Sequence, residues 1–380
     1  MIEGKIPIYV YGKNIVPEVM KQLNMIKDIP FFKKQIVIMP DFHAGKGCVI
    51  GFTGYFDEVV IPNIVGVDIG CGVYTYPLGR LERVNLQKLD AFVKGNIPLG
   101  LACRTKSNAK KIPLLKDEKK FLKEMTVILT KKYGIGLNEP LLQVGTLGSG
   151  NHFIELGMDD KGNYYLTVHS GSRNLGLRVC IYFHKKAVEY TQKIMPYLHK
   201  DLSFLPLNKG GRDYIEAMRL AQAYADINRK VMLRLIVESF FGQEFDESKV
   251  IKSVHNYIDV DRDYCVRKGA ISAHKDEKVV IPFNLVYGLI IGRGKGVKKL
   301  NFSAPHGAGR KMSRRKARES LSLKDFKNVV KNARIYSSTV SARTIDESPM
   351  AYKDPDEILE FLPQTVEIER FVRPIYNVKG

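Results

Sequence analysis

Residues 66–73 read GVDIGCGV and run into a β-like segment, GVYTYPL, at residues 72–78. This Gly-rich turn presents a carboxylate, Asp68, and a thiol, Cys71, three positions apart. Its glycines allow the backbone to bend tightly, because a residue without a side chain adopts conformations that other residues avoid. The turn therefore indicates two preorganised metal ligands immediately before a strand.

Three histidines in other β-rich segments complete the candidate metal site. His152 lies in SGNHFIE, His169 in TVHSGSR and His255 in VHNY. The first two are 17 positions apart, a spacing that fits a strand–turn–strand hairpin with both imidazoles brought together. A thiolate can bridge two ions, and cysteine and histidine donors by themselves favour zinc. Any one of these histidines, taken alone, is more often a structural residue of a core or loop than a ligand.

His306 is the candidate nucleophile. It lies in SAPHGAGR, whose glycines leave the ring uncovered, and a neutral imidazole can attack phosphorus. Residues 293–318 hold ten Lys and Arg side chains and no acidic one, a composition suited to binding phosphates. For the charge run alone, a solvated basic loop followed by a helix is the alternative. Two more candidate site loops are MPDFHAGKG at residues 39–47, which contains Asp41, and GTLGSGN at residues 145–151.

The overall composition favours a polyanionic partner. Lys and Arg number 60 against 40 Asp and Glu, a net charge of +20, although a merely basic protein is the alternative. The five cysteines are an odd number without a CxxC pair, which argues for a reducing compartment and against a disulfide framework. There is neither a signal-peptide pattern nor an apolar run of roughly 18 residues, so we expect a cytoplasmic protein without a membrane span.

Strands and helices mix without a βαβ rhythm, so the predicted fold class is α+β. Helical periodicity predicts four helices, at residues 86–94, 177–194, 212–241 and 322–333. The candidate ligands are spread from residue 68 to residue 306, so a domain boundary cannot separate them. We therefore expect one large domain over residues 1–380, with mixed β-sheets around a central metal cleft and a helical insertion at residues 196–245.

Ten motifs in this chain follow the order seen in RtcB-type RNA ligases. They are MPDFHAGKG, VGVDIGCGV, GSGNHFIE, HSGSR, VHNY, RKGA, RGKG, HGAGR, DESPMAYKD and the terminal VKG. The chain resembles a divergent, compact bacterial member of that family from about residue 35 to residue 380. The resemblance implies an enzyme that joins RNA ends bearing a 2′,3′-cyclic phosphate or 3′-phosphate to 5′-hydroxyl ends, in RNA splicing (that of transfer RNA included) or repair. It implies GTP and two manganese ions as cofactors and a guanylyl-histidine intermediate.

The resemblance also implies a role for individual residues. Asp68, Cys71 and His152 would hold one ion, and Cys71, His169 and His255 the second. His306 would be the guanylylated nucleophile. The implied nucleotide contacts are Asn151, His152, Phe153, Ile154, Glu155, His255, Asn256, His306, Gly307, Ala308, Gly309 and Lys379. The family uses manganese where donor softness alone favours zinc, and carboxylate, phosphate and water oxygens would complete its coordination.

One segment departs from the family pattern. Residues 282–289 read PFNLVYGL where the family has a PGSMGTPS-like loop that lines the guanine pocket. Phe283 stands in place of a glycine, and Leu289 replaces the small residue that contacts the nucleotide. This departure leaves guanine specificity open while the implied metal ligands and nucleophile are intact.

Two other functions are compatible with these residues. A metal-dependent RNA-end phosphohydrolase without ligation would keep the metal ligands but would not need His306. A non-catalytic RNA-binding protein would need neither. We expect a monomer whose RNA-facing surface is the basic helix after Arg310, and the resemblance allows for an activating protein partner.

Overall fold

The computed structural model describes residues 1–137 and 139–380. Its strands are β1 Ile8–Val10, β2 Phe32–His43, β3 Ile50–Phe56, β4 Val59–Val60, β5 Gly72–Arg80, β6 Phe153–Met158, β7 Asn163–Ser170, β8 Leu205–Pro206, β9 Ile251–Val254, β10 Asn256–Ile258, β11 Cys265–Lys268, β12 Ala270–Ser272, β13 Lys278–Pro282, β14 Leu289–Gly294, β15 Ser303–Pro305 and β16 Val366–Lys379. Its α-helices are α1 Pro17–Ile26, α2 Pro62–Val65, α3 Leu86–Asn96, α4 Lys106–Ala109, α5 Lys116–Val127, α6 Pro140–Gln143, α7 Arg173–Ile194, α8 Gly211–Ser239, α9 Arg314–Ser320, α10 Leu323–Asn332 and α11 Pro355–Phe361. Among these residues, no helix is both long enough and apolar enough to cross a bilayer.

Two larger sheets organise the molecule, and they confirm the α+β class. A seven-stranded sheet has the order β13-β14-β16-β6-β7-β5-β9, and a five-stranded sheet has the order β1-β2-β3-β11-β10. The pairings in the seven-stranded sheet are all antiparallel. Because neighbouring strands run in opposite directions, the end of one strand lies beside the start of the next at the same edge of the sheet. Residues far apart in the chain can therefore meet at that edge.

The edge that matters is formed by the ends of four strands. In the β6–β7 hairpin Phe153 pairs with His169, which brings His152 beside the end of β7. On the other side of β7, Gly72 pairs with Ser170 and also with Val254. The Gly-rich turn before β5 and His255 after β9 therefore reach the same edge as the hairpin histidines.

The long helix α8 supports this edge from behind. It contributes to two hydrophobic clusters, through Met218 and its neighbours in one and Met232 and its neighbours in the other. The buried guanidinium of Arg229 donates to the carbonyls of Gly70, at 2.7 Å, and Ser170, at 2.5 Å. A cation that bonds both backbones ties the Gly-rich turn to the end of β7.

The four predicted helices all form, with shifted boundaries. The segment at residues 212–241 is α8, residues 177–194 belong to α7, residues 86–94 begin α3 and residues 322–333 contain α10. The organisation as one domain over residues 1–380 with an insertion at 196–245 stays a prediction, although α8 packs into both main clusters rather than at the periphery.

Candidate metal centre and active site

Five predicted ligands converge at the shared edge of the sheet. Cys71 Sγ lies 3.4 Å from Nε2 of both His152 and His169, and His152 Nε2 lies 3.1 Å from Asp68 Oδ2. The donors form two sets, one of Asp68, Cys71 and His152 and one of Cys71, His169 and His255, each with its donor atoms within 4.8 Å of one another. The thiol belongs to both sets, as expected for a group that bridges two ions.

The orientation of the histidine rings suits a pair of cations. His152 Nδ1 lies 3.0 Å from the Leu147 carbonyl, so Nδ1 carries the proton and the Nε2 lone pair is directed toward Asp68 and Cys71. His255 Nδ1 is buried and has no hydrogen-bond partner among the described residues. A buried lone pair without a donor is costly unless a cation binds it, so these residues fit a metal.

Burial shapes the protonation of the ligands. It lowers the pKa of His169 and of His255 well below the usual range, helped by the neighbouring histidines. Burial, together with the Asp68 carboxylate, raises the pKa of the Cys71 thiol well above its usual range. The imidazoles are therefore neutral and ready to ligate, whereas the thiol keeps its proton until a cation stabilises the thiolate.

The position of Asp68 depends on a glycine in the facing loop. A Cβ at Gly171 would lie 2.0 Å from Asp68 Oδ1. On its other side the backbone of Asp68 is held by Asn256, whose Nδ2 donates to the Asp68 carbonyl at 3.0 Å, while Asn256 Oδ1 accepts from Gly269 N–H. Asn256, predicted as a nucleotide contact, thus uses both side-chain atoms within the protein.

His306 lies beside the second metal set. Its ring centroid is 4.8 Å from that of His255. Its Nδ1 donates to Asp41 Oδ2 at 2.6 Å, and the same oxygen accepts the backbone N–H groups of His306, at 2.9 Å, and Gly307, at 3.2 Å. With its proton on Nδ1, the ring has its free lone pair on Nε2. Sequence reasoning had placed Asp41 in a candidate site loop but had missed this contact.

A cavity of about 650 Å³ borders His306. Eight of the predicted nucleotide contacts line it: Asn151, Phe153, Glu155, His306, Gly307, Ala308, Gly309 and Lys379. Ile154 is fully buried in a hydrophobic cluster, because successive side chains of a strand face opposite sides. Its side chain therefore points away from the cavity, and only its backbone remains for a contact.

The divergent segment 282–289 forms one wall of this cavity. Phe283 and Leu285 line it with apolar surface, together with Pro282, Asn284 and Gly288. Leu289, expected at the nucleotide, lies instead in a buried cluster with Val280 and Val372, because it starts β14 and pairs with Val372 of β16. The loop therefore changes the cavity through its apolar wall and not through Leu289.

A second cavity, of about 470 Å³, lies on the Asp68 and His152 side of the metal centre. Four arginines line it: Arg173, Arg314, Arg318 and Arg343. Asn151 and Arg314 line both cavities, so they form the wall between them. The two cavities thus flank the donor cluster, and the second one combines its four arginines with the carboxylates of Asp68, Asp346 and Glu347.

Two buried carboxylates organise the basic side chains of that wall. Glu347 lies 2.5 Å from Arg314, 3.3 Å from Arg310 and 3.4 Å from Lys379. Burial alone would raise the pKa of Glu347, but Lys379 and Arg314 outweigh it and hold that pKa at about 2. The neighbouring Asp346 binds Arg314 at 2.8 Å and Arg318 at 3.2 Å. Both acids lie in the DESPMAYKD motif, where sequence reasoning assigned them no role.

A third group of possible metal ligands lies elsewhere in the protein and already has a positive partner. Asp259, Asp263 and His274 have donor atoms within 4.8 Å of one another. The buried guanidinium of Arg267 lies 2.8 Å from Asp259 and 3.6 Å from Asp263. Arg267 already supplies the positive charge there, so we assign this group no metal.

Comparison with known proteins identifies the family. The family model described as tRNA-splicing ligase RtcB matches residues 22–380. The chain belongs to the RtcB family. The RNA-splicing ligase RtcB of Escherichia coli (strain K12) is 31% identical over 401 aligned residues, which cover 99% of this chain and 97% of that protein. The tRNA-splicing ligase RtcB of Nanoarchaeum equitans is 28% identical, covering 100% of this chain and 96% of that protein.

Membership of the RtcB family confirms the resemblance predicted from the ordered motifs. It also confirms the predicted enzyme class, an RNA ligase.

Proposed function

We propose that this RtcB-family ligase uses GTP and two manganese ions to join a 2′,3′-cyclic phosphate or 3′-phosphate RNA end to a 5′-hydroxyl end. The intermediate is GMP bound covalently to His306. The observation that carries the proposal is the position of His306, between the donor cluster and the cavity of about 650 Å³, with Nδ1 bonded to Asp41. This arrangement supports a nucleophilic role because Nε2 is the nitrogen left to attack.

Two ions fit the donor sets. Asp68, Cys71 and His152 would hold one, and Cys71, His169 and His255 the other. When bound, the ions neutralise phosphate charge near the reacting atoms. The donors alone suit zinc, whereas the family resemblance favours manganese, with substrate oxygens completing the coordination.

In the first step, His306 Nε2 attacks the α-phosphorus of GTP. An N–P bond forms, the bond from that phosphorus to the bridging oxygen breaks, and pyrophosphate leaves with the electron pair. The ring becomes positively charged as the bond forms. Asp41 holds the Nδ1 proton and stabilises that charge, as the carboxylate partner of a catalytic histidine does.

In the second step, an oxygen of the RNA 3′-phosphate attacks the phosphorus on His306 and releases the imidazole. The 5′-hydroxyl oxygen of the other RNA end then attacks the 3′-phosphate and its proton passes to solvent. The bond from that phosphorus to the oxygen shared with GMP breaks, and GMP leaves with the electron pair. A 3′-phosphate has no good leaving group of its own, so the nucleotide supplies one. A cyclic phosphate is first hydrolysed to the 3′-phosphate.

The second cavity supports an approach of the RNA from the Asp68 side. Arginine side chains suit contacts to phosphates, although Arg314 and Arg318 already pair with Asp346 or Glu347. The net charge of +20 favours a polyanionic partner such as RNA. Arg314 and Arg318 of α9 are engaged by Asp346 on their protein side, which presents the predicted basic helix in a defined orientation. We further propose that the enzyme is a cytoplasmic monomer. It would act in RNA splicing or repair, with or without an activating protein.

The test is mass spectrometry of the protein after incubation with GTP and manganese. We expect a GMP adduct on the peptide that contains His306, and ligation of a 3′-phosphate RNA to a 5′-hydroxyl RNA. His306→Ala should abolish both, while the matched variant His199→Ala, outside both cavities, should keep both. If His306→Ala still ligates, the proposed mechanism is wrong. If the wild type only hydrolyses cyclic phosphates, the phosphohydrolase alternative replaces it.

A further inference from the structure

Three of the candidate metal ligands lie just outside the strands of the sheet. Asp68 and Cys71 lie before β5 and His152 lies before β6, whereas His169 lies inside β7. Backbone pairing holds the strands themselves but not the segments that precede them. The spacing of the donor atoms therefore depends on what holds the three ligand-bearing segments, which are residues 66–72, 145–152 and 169–171.

Arg229 of α8 joins the first of these segments to the third. It is fully buried, and one nitrogen of its guanidinium donates to both the Gly70 carbonyl, at 2.7 Å, and the Ser170 carbonyl, at 2.5 Å. Gly70 precedes Cys71, and Ser170 follows His169. A single nitrogen bonded to both backbones thus limits how far the thiol can move from that imidazole.

Asn228, the preceding residue of α8, joins the second segment to the third. Its Oδ1 accepts from the backbone N–H groups of Gly145, at 2.8 Å, and Thr146, at 3.2 Å. Its Nδ2 donates to Ser170 Oγ at 3.1 Å and to the Gly171 carbonyl at 3.3 Å. A buried amide that uses both its donor and its acceptor atoms in this way fixes the two segments relative to each other.

The loop that Asn228 holds also carries the anchor of His152. The Leu147 carbonyl accepts from His152 Nδ1 at 3.0 Å and from Ser170 Oγ at 2.7 Å. A hydrogen bond on the nitrogen that does not bind the metal orients a ligating imidazole. A shift of the loop would therefore turn the His152 ring away from its position beside Cys71.

The surroundings of Arg229 differ from those of another buried arginine in the same helix. Arg234 pairs with the buried carboxylate of Glu118 at 3.0 Å. Arg229 instead donates to uncharged carbonyls, and its guanidinium carbon lies 4.2 Å from the centre of the Tyr74 ring. Burial of a cation against neutral acceptors is costly. Its presence is better explained by the position it gives to the metal ligands than by a gain in stability.

We propose that Asn228 and Arg229 are positioning residues of the metal centre, which keep the three ligand-bearing segments at the spacing that lets the Cys71 thiol bind two ions. This inference rests on the proposed function, because it takes both donor sets to hold manganese. Adjacent residues of one helix share a rigid frame, so all three segments are held relative to the same support. Neither side chain touches an ion, and each acts through the backbone next to the ligands.

The experiment measures manganese binding by calorimetry and records the electron paramagnetic resonance spectrum of the manganese-loaded protein. Two manganese ions that share a thiolate are magnetically coupled, and the coupling weakens as the ions move apart. We expect the wild type to bind two coupled ions. Arg229→Met and Asn228→Ala should each lose about 10- to 100-fold in affinity, as is usual when the support of a metal ligand is removed. At saturating manganese their spectra should be those of uncoupled ions.

Two further variants separate positioning from stability. Arg234→Met leaves the Glu118 carboxylate buried without its partner, so the free energy of unfolding should fall while manganese affinity and coupling stay those of the wild type. Arg229→Lys keeps the positive charge, but its ammonium group ends one atom short of the two carbonyls. It should also lose affinity and coupling, and it replaces the methionine variant if that variant does not fold.

The outcomes distinguish this inference from the proposed function. If the wild type binds two coupled ions and the variants of Arg229 and Asn228 do so with the same affinity, their positioning role is wrong and the proposed function stands. If Arg234→Met loses the coupling as well, general stability controls the metal centre and the positioning role is again wrong. If the wild type binds only one ion, the two-ion centre of the proposed function and this inference fall together.

Discussion

Asp41 accepts the Nδ1–H of His306 at 2.6 Å through an oxygen that also receives two backbone N–H groups. The carboxylate thus orients the ring and sets its tautomer at the same time. It comes from the end of β2, 265 positions away in the chain, so the contact depends on the folded protein and not on a local motif.

Asp41→Asn is expected to slow guanylylation of His306 by about 100-fold or more, because an amide neither fixes the tautomer nor stabilises the positive ring. The affinity for GTP should change little, since the amide occupies the same volume. Single-turnover labelling at several GTP concentrations separates the two quantities. Asp159→Asn, a buried carboxylate that pairs with Arg370 away from both cavities, is the control and should label normally. Equal rates for wild type and Asp41→Asn would contradict the role of Asp41.

Binding of manganese is expected to release a proton from Cys71. Burial and the Asp68 carboxylate raise the pKa of that thiol well above its usual range, so the protein without metal holds the thiol at pH 7. Affinity should therefore rise by up to about tenfold per pH unit. Calorimetric titration in two buffers with different ionisation enthalpies measures the released protons.

Cys71→Ser should bind manganese far more weakly and release no such proton. Cys265→Ser alters a buried thiol outside the metal sets and should behave as the wild type. A heat of binding that is the same in both buffers would show that the bridging thiolate is not formed.

The five side chains predicted as metal ligands do converge in the structure, and each lies next to a strand end. His152 and His169 flank a two-stranded hairpin, and the Gly-rich turn with Asp68 and Cys71 precedes the neighbouring strand. The short separation of His152 and His169 is a local signal of a hairpin, whereas Cys71 meets these histidines across 81 and 98 positions through strand pairing that no local signal specifies.

The β6–β16 wall of the cavity beside His306 could not be predicted from the sequence. Asn377 meets Glu155 across 222 positions, and this pairing exists only because β16 inserts between β14 and β6. Nothing in a single strand specifies which distant strand it pairs with, since register is decided by packing over the whole sheet. For the same reason Leu289 was expected at the nucleotide, whereas its pairing with Val372 places it in the core.

Gly171→Ala is expected to abolish metal binding at the Asp68 site. The added Cβ would lie 2.0 Å from Asp68 Oδ1 and would displace that carboxylate. Gly95→Ala is the matched control, because a Cβ there meets no atom within 4 Å and the residue lies in the last turn of α3. It should stabilise the protein by up to about 1 kcal/mol and leave binding unchanged. Manganese stoichiometry, measured by calorimetry, should fall in the first variant only, and full stoichiometry in Gly171→Ala would overturn the assignment of Asp68.

Glu155→Gln is expected to stabilise the protein at pH 8 while it impairs nucleotide labelling. Burial raises the pKa of Glu155 from 4.5 to about 7. The folded state therefore binds a proton more tightly than the unfolded state, and the stability from this group, present below pH 4.5, is lost as the pH rises through 7. The difference corresponds to about 3 kcal/mol. Chemical denaturation at pH 5 and pH 8 should show a gain for Glu155→Gln that is larger at pH 8.

Glu347 is the control for Glu155, because its pKa is lowered and not raised. Lys379 and Arg314 outweigh the effect of burial and lower its pKa from 4.5 to about 2, so its contribution to stability is present above pH 4.5 and is lost as the pH falls through 2. Glu347→Gln should therefore destabilise the protein at pH 8, by about 3 kcal/mol or more because it leaves cations without their partner. Two glutamates that face the same active site would then change stability in opposite directions on the same substitution. If Glu155→Gln also destabilises the protein at pH 8, the raised pKa of the Glu155 carboxyl group is contradicted.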